Sequence, residues 1–78
     1  MTRYMVVERF RAGRRADVYA RFEAEGRLLP EGLSYVASWV GAEADICFQL
    51  METEDPALFP IWFERWADLV DFELFELR

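Results

Sequence analysis

Along the chain, stretches whose apolar residues recur at every second position give way to stretches where they recur at every third or fourth, and this change of period separates strands from helices. Residues 3–10 (RYMVVERF) place β-branched and aromatic side chains around an apolar run, the pattern of a buried strand, and Arg11 to Gly13 end it. From about residue 14 to 27, Val18, Tyr19 and Phe22 fall at i, i+1 and i+4, while Asp17/Arg21, Arg21/Glu25 and Glu23/Arg27 are opposite charges four apart. This predicts an amphipathic helix with Gly26 as its stop. Residues 33–40 (LSYVASWV) predict a second strand, with Tyr35, Ala37 and Trp39 on one face and Ser34, Val36, Ser38 and Val40 on the other. Residues 46–53 (ICFQLMET) predict a third, which separates Phe48 and Leu50 from Cys47, Gln49 and Met51. A turn around Gly41 to Asp45 joins the two as a hairpin.

Asp55 before Pro56 resembles an N-cap with a first-turn proline, and Leu58, Phe59, Trp62, Phe63 and Trp66 then recur at helical spacing. Pro60 has no amide to donate and its ring crowds the carbonyl four residues back, so this second helix either starts near Phe59 or kinks there. Trp62 and Trp66 share its buried stripe and belong to the helix–sheet core. Residues 70–77 (VDFELFEL) set Val70, Phe72 and Leu74 against Asp71, Glu73 and Phe75, a fourth strand.

The order is βαββαβ, which predicts an α+β, ferredoxin-like domain spanning residues 1–78: a four-stranded antiparallel sheet with two helices on one face. The other face then has no cover within the chain. The register expected for it carries Tyr4, Val6, Glu8 and Phe10, then Tyr35, Ala37 and Trp39, then Cys47, Gln49 and Met51, and finally Asp71, Glu73 and Phe75. Such a face is too aromatic to stand in water and too polar for an ordinary core. Two copies packing these faces together, a homodimer closing a dimeric α/β barrel, resolve both problems.

Composition supports self-association. In 78 residues, 54% are hydrophobic and 17% aromatic, more apolar material than a monomer of this size readily hides. Nine arginines, no lysine and fifteen acids give a net charge of −6, which repels a phosphate backbone and argues against nucleic acid as a partner. Arg3, Glu8 and Arg9 interrupt the stretch a signal peptide needs, and no run approaches the roughly 18 apolar residues of a membrane span, so the expectation is a cytoplasmic protein without a membrane partner.

Candidate chemistry is sparse. With no histidine and with Cys47 as the single cysteine, neither a disulfide nor a zinc or haem site of ordinary composition is available, and no metal or cofactor is expected. Glu52, Glu54 and Asp55 form the densest acidic group but lack the spacing of a calcium loop, so they read as a solvated turn and helix cap. Cys47 has no base and reads as a small buried hydrophobe. The dispersed glycines form no phosphate loop. Acid–base chemistry is better represented: the first strand of such a sheet lies beside the third and fourth, which brings Glu8 within reach of Gln49 and of Glu73 or Asp71. The plainer alternative is that Glu8 and Glu73 lie at a wet rim or pair with Arg9 or Arg78. Tyr35 and Trp39 are placed to wall a pocket for a flat apolar ligand oriented by Gln49, or to interlock across the dimer with no cavity.

The segments RYMVVERF, GRLLPEGLSYVASWV, CFQLMETEDPALF and WFERWADLVDFEL resemble the family known as domain of unknown function 3303 over nearly the whole chain. That resemblance implies the dimeric α/β-barrel form of the ferredoxin-like fold and implies no activity. Arg9 stands where members tend to carry His, and Pro60 where they tend to carry a polar residue. The resulting expectation is a homodimer that binds a small aromatic or apolar molecule between its sheet faces, around Glu8, Tyr35, Trp39, Cys47, Gln49 and Glu73, with no catalytic residue assigned. A cofactor-independent enzyme with Glu8 as base or acid, and a structural or protein-interaction module, are the alternatives.

Overall fold

A computed structural model of the chain describes residues 1–42 and 45–78. In chain order it contains β1 (Thr2–Phe10), α1 (Arg15–Glu25), β2 (Ser34–Val40), β3 (Ile46–Thr53), α2 (Leu58–Glu64) and β4 (Val70–Glu76). The strands form one antiparallel sheet in the order β2-β3-β1-β4, with both helices against one face, as the βαββαβ pattern predicts for a ferredoxin-like fold. The turn predicted around Gly41 to Asp45 includes residues 43 and 44, which lie outside the described residues. Among the described residues no helix is long and apolar enough to cross a membrane.

Helix α1 ends where its sequence stops it. The Gly26 amide donates to the Phe22 carbonyl at 2.8 Å, and Gly26 itself takes φ +70°, which a Cβ would resist. The two residues that follow are clamped from α2 and the turn behind it. Both indole N–H groups, of Trp62 and Trp66, donate to the Arg27 carbonyl at 2.8 and 3.0 Å, and the Arg65 guanidinium donates to the Leu28 carbonyl at 2.8 Å. These bonds hold Leu28 at φ +60°, a conformation that costs a branched residue roughly 1–2 kcal/mol.

Pro60 is the third residue of α2, so its missing amide is one that a first turn leaves unpaired in any case, and the helix starts near Phe59 as the sequence allows. Asp55 caps the preceding turn instead of the helix itself, its Oδ1 accepting the Ala57 amide at 3.1 Å. Beyond Glu64 the chain tightens, with the Trp66 amide donating to the Phe63 carbonyl three residues back, and this swings Trp66 and Leu69 onto the sheet.

The core is aromatic. Tyr4, Val6 and Met51 rise from the sheet to meet Val18 of α1, Phe59 and Trp62 of α2, and Trp66 beyond it. Tyr4 and Phe59 meet edge to face at 4.9 Å, and Phe63 stacks on Phe72 at 4.3 Å. Each such burial contributes about 1.5–3 kcal/mol, and the ring geometries add to it.

This packing overturns the expected assignment of faces in β1 and β3. The face with Tyr4, Val6, Glu8 and Phe10, and with Cys47, Gln49 and Met51, lies under the helices. Alternation identifies two faces without saying which is covered, and Glu8 and Gln49 made the covered one resemble a solvent face. In β2 the strict alternation fails at a bulge between Tyr35 and Ala37: Tyr35 opposes Met51 while Ala37 opposes Leu50, so Val36 is extra and Tyr35 parts from Ala37 and Trp39. In β4 the expected faces hold, with Phe72 toward the helices and Asp71, Glu73 and Phe75 away from them. The uncovered face therefore comprises Arg3, Met5, Val7 and Arg9, flanked by Phe48, Leu50 and Trp39 on one side and by Glu73 and Phe75 on the other.

Candidate functional site

Between α1 and the sheet the packing leaves a cavity of about 190 Å³. Its floor is the sheet: Glu8 of β1, Ser38 of β2, and Cys47 and Gln49 of β3. Its walls are Val18, Tyr19 and Phe22, spaced along one side of α1, with Trp62 and Trp66. Arg27 completes it, carried there by the clamped segment after Gly26.

Glu8 opposes Cys47 across the β1–β3 ladder, and Gln49 opposes Val6 two pairs along, so the pleat puts the Glu8, Cys47 and Gln49 side chains on the same face. The Gln49 Nε2 amide donates to Glu8 Oε2 at 2.6 Å, and Glu8 is only 7% exposed. Burial pushes the Glu8 carboxyl up to about 7, although the Gln49 hydrogen bond and the Arg27 charge both pull it down. Burial and then the neighbouring Glu8 charge push the Cys47 thiol up to about 11, which leaves it a neutral thiol at physiological pH and a poor nucleophile.

Arg27 is held flat. Its guanidinium carbon sits 3.5 Å from the centre of the Tyr35 ring and 5.1 Å from that of Phe22. The Tyr35 hydroxyl lies 2.7 Å from Ser38 Oγ, which fixes that ring in turn. Two polar atoms of residues that line the cavity are buried without a hydrogen-bond partner among the described residues: Nε of Arg27 and Oε1 of Gln49.

Of the residues expected to share a site, the structure brings Glu8, Cys47 and Gln49 together and sets Tyr35 beside them as the platform for Arg27. Trp39 and Glu73 are on the opposite side of the sheet. Trp39 is 53% exposed, and Glu73 pairs with Arg9. Glu73 opposes Val7, not Glu8, so neither it nor Asp71 reaches the buried carboxylate. Arg27, Tyr19, Phe22 and Ser38 were not anticipated. The apolar stripe of α1 was visible, but Arg27 appeared only as a charge four residues from Glu23, and nothing in its local sequence shows that the chain turns back over the sheet there.

Chemically, the arrangement offers a carboxyl able to hold or release a proton near neutral pH, an amide that orients it, an aromatic-walled space and one cation.

No curated protein is matched by this sequence. Among solved structures, an uncharacterized NIPSNAP domain protein from Burkholderia xenovorans superposes with a TM-score of 0.68 at 15% identity, covering 100% of this chain and 93% of that one, and shares its fold. Residues 2–75 match the family described as Domain of unknown function (DUF3303), and with nearly its whole length inside that match the chain belongs to this family.

Proposed function

We propose that this chain binds a small, largely apolar molecule about one aromatic ring in size in the cavity between α1 and the sheet, and does so as a homodimer. The observation that carries this reading is the cavity itself, about 190 Å³ of space, partly open to solvent, with aromatic and aliphatic walls around a hydrogen-bonded Glu8–Gln49 pair. An apolar cavity of about 150 Å³ accepts benzene, so the volume suits one ring with small substituents, and a few converging polar groups among apolar walls are what ligand sites typically contain. Relative to the sequence expectation, the ligand moves from between two sheets to within each chain.

Phenol titration followed by tryptophan fluorescence tests the reading, since Trp62 and Trp66 both line the cavity. Saturable quenching is expected in the wild-type protein, and its loss in Val18→Phe, which fills the space from α1. Identical responses of the two proteins would place any binding elsewhere.

A second reading, cofactor-independent proton transfer, is favoured by the Glu8 carboxyl being poised at about 7. The Glu8 carboxyl carbon followed by NMR is then expected to titrate near neutrality; a midpoint in the ordinary carboxylate range removes this reading.

The homodimer is supported by the uncovered sheet face, where Trp39 and Phe75 are half exposed around Met5, Val7 and Phe48. A solution mass of twice the 9.3 kDa chain is the expected result.

A further inference from the structure

We infer that the cavity's ligand is a monocyclic hydroxyaromatic acid, its carboxylate docked on Arg27 and its hydroxyl donating to Gln49. The inference rests on the proposed binding role of this cavity and names the ligand class for it.

Arg27 differs from most other arginines of the chain. Arg3, Arg9, Arg11, Arg14, Arg15 and Arg21 each meet a carboxylate within 4.0 Å, and Arg65 donates to a backbone carbonyl. Arg27 meets no carboxylate among the described residues, although its charge is felt by Glu8 and Cys47 across the same cavity. It lies over the Tyr35 ring and is braced by Phe22, so its fork is already oriented, and its buried Nε has no acceptor among the described residues. A buried donor left unpaired is a cost that an acceptor brought by a ligand would recover. A planar carboxylate is the anion that a guanidinium fork engages most fully.

The other unpaired atom has the opposite need. Gln49 spends its amide N–H on Glu8, leaving Oε1 buried and without a donor among the described residues. One molecule thus has to present an acceptor anion to Arg27 and a donor to Gln49, with an apolar body for the walls of Phe22, Trp62 and Trp66 between them. A hydroxybenzoate meets all three demands at the available volume, whereas phenol supplies only the donor and benzoate only the anion.

The test uses the Trp39→Phe protein, in which the remaining tryptophans both line the cavity, titrated at pH 8 with 4-hydroxybenzoate, 3-hydroxybenzoate, phenol and methyl 4-hydroxybenzoate. One of the two acids is expected to bind at least tenfold more tightly than either neutral compound, and Arg27→Gln is expected to erase that preference, its acid and phenol affinities falling within about threefold of each other in the same variant, on the scale of a charge-assisted hydrogen bond. The substitution leaves the Arg27 carbonyl, and with it the two indole bonds, in place; Arg27→Lys, which keeps the charge without the fork, is expected to recover part of the preference. Phenol binding as tightly as both acids would overturn the anion anchor and leave the cavity's binding role standing. Persistence of the acid preference in folded Arg27→Gln would also overturn it, and no response to any of the four compounds would remove both proposals together.

Discussion

Glu8 loses its hydration when β1 packs beneath the helices, and that loss couples its titration to folding. Its carboxyl moves from an ordinary 4.5 to about 7 in the folded chain. Between those values the folded state keeps a proton that the unfolded state has released, so stability falls as pH rises through this window and levels off above it. The shift corresponds to roughly 3 kcal/mol. Glu8→Gln removes the titration while its amide can still meet Gln49, so the variant is expected to gain about 2–3 kcal/mol over the wild type between pH 4.5 and 8, measured by urea unfolding at each pH. A wild-type-minus-variant difference that does not change with pH would show that Glu8 is not desolvated. At this scale the sequence disclosed half of the site. Glu8 and Gln49 were legible as neighbours because β1 must lie beside β3 in this topology, and Cys47 because it lacked any base. Arg27 was not, since its position depends on two indole bonds to its own carbonyl from residues 35 and 39 positions away.

Elements behave as their sequences dictate except where a local rule has two solutions. Alternation in β1 and β3 defines two faces equally well, and the choice between them falls to the helices, whose aromatic stripe takes Tyr4, Val6 and Met51 and leaves Glu8 and Gln49 where α1 does not fill the space. The extra residue at Val36 is invisible to any strict period-two count, and it parts Tyr35 from Trp39. Pro60 and Gly26 show the contrast between an irregularity that is tolerated and one that is required. Pro60 occupies a first-turn position whose amide has no helical acceptor, so Pro60→Ala is expected to change stability by less than about 1 kcal/mol. Gly26 has open space around its Cα but takes φ +70° with ψ −154°, a region essentially only glycine enters, so Gly26→Ala is expected to cost about 1–3 kcal/mol through backbone strain alone. Denaturant midpoints of the two variants decide the matter: equal losses would mean that the helix ends are not held as described.

For the whole molecule, the question is what covers the second face of the sheet. Strands about 4.8 Å apart and some seven residues long, at about 3.3 Å per residue, give that face a plan area of roughly 450 Å², and side chains standing from it raise the accessible area toward the ~800 Å² per partner of a stable interface. Its composition is self-complementary. Met5, Val7, Phe48 and Leu50 form an apolar centre, and Arg9–Glu73, Arg3–Glu52 and Arg11–Asp71 are charge pairs already neutralised within one chain, so a second copy meets little net repulsion despite the overall charge of −6. Trp39, 53% exposed, and Phe75, 49% exposed, are the large side chains with most surface to hide there. Wild-type protein at micromolar concentration is therefore expected to sediment as a dimer, and either Trp39→Glu or Phe75→Glu to weaken association by at least a hundredfold, because each buries an unpaired charge in an apolar contact. The cavity lies on the other side of the sheet, so phenol binding in these variants is expected to stay within a few-fold of the wild type. A wild-type monomer would leave the exposed aromatics to a different partner, and a dimer unaffected by both substitutions would place the contact on another surface.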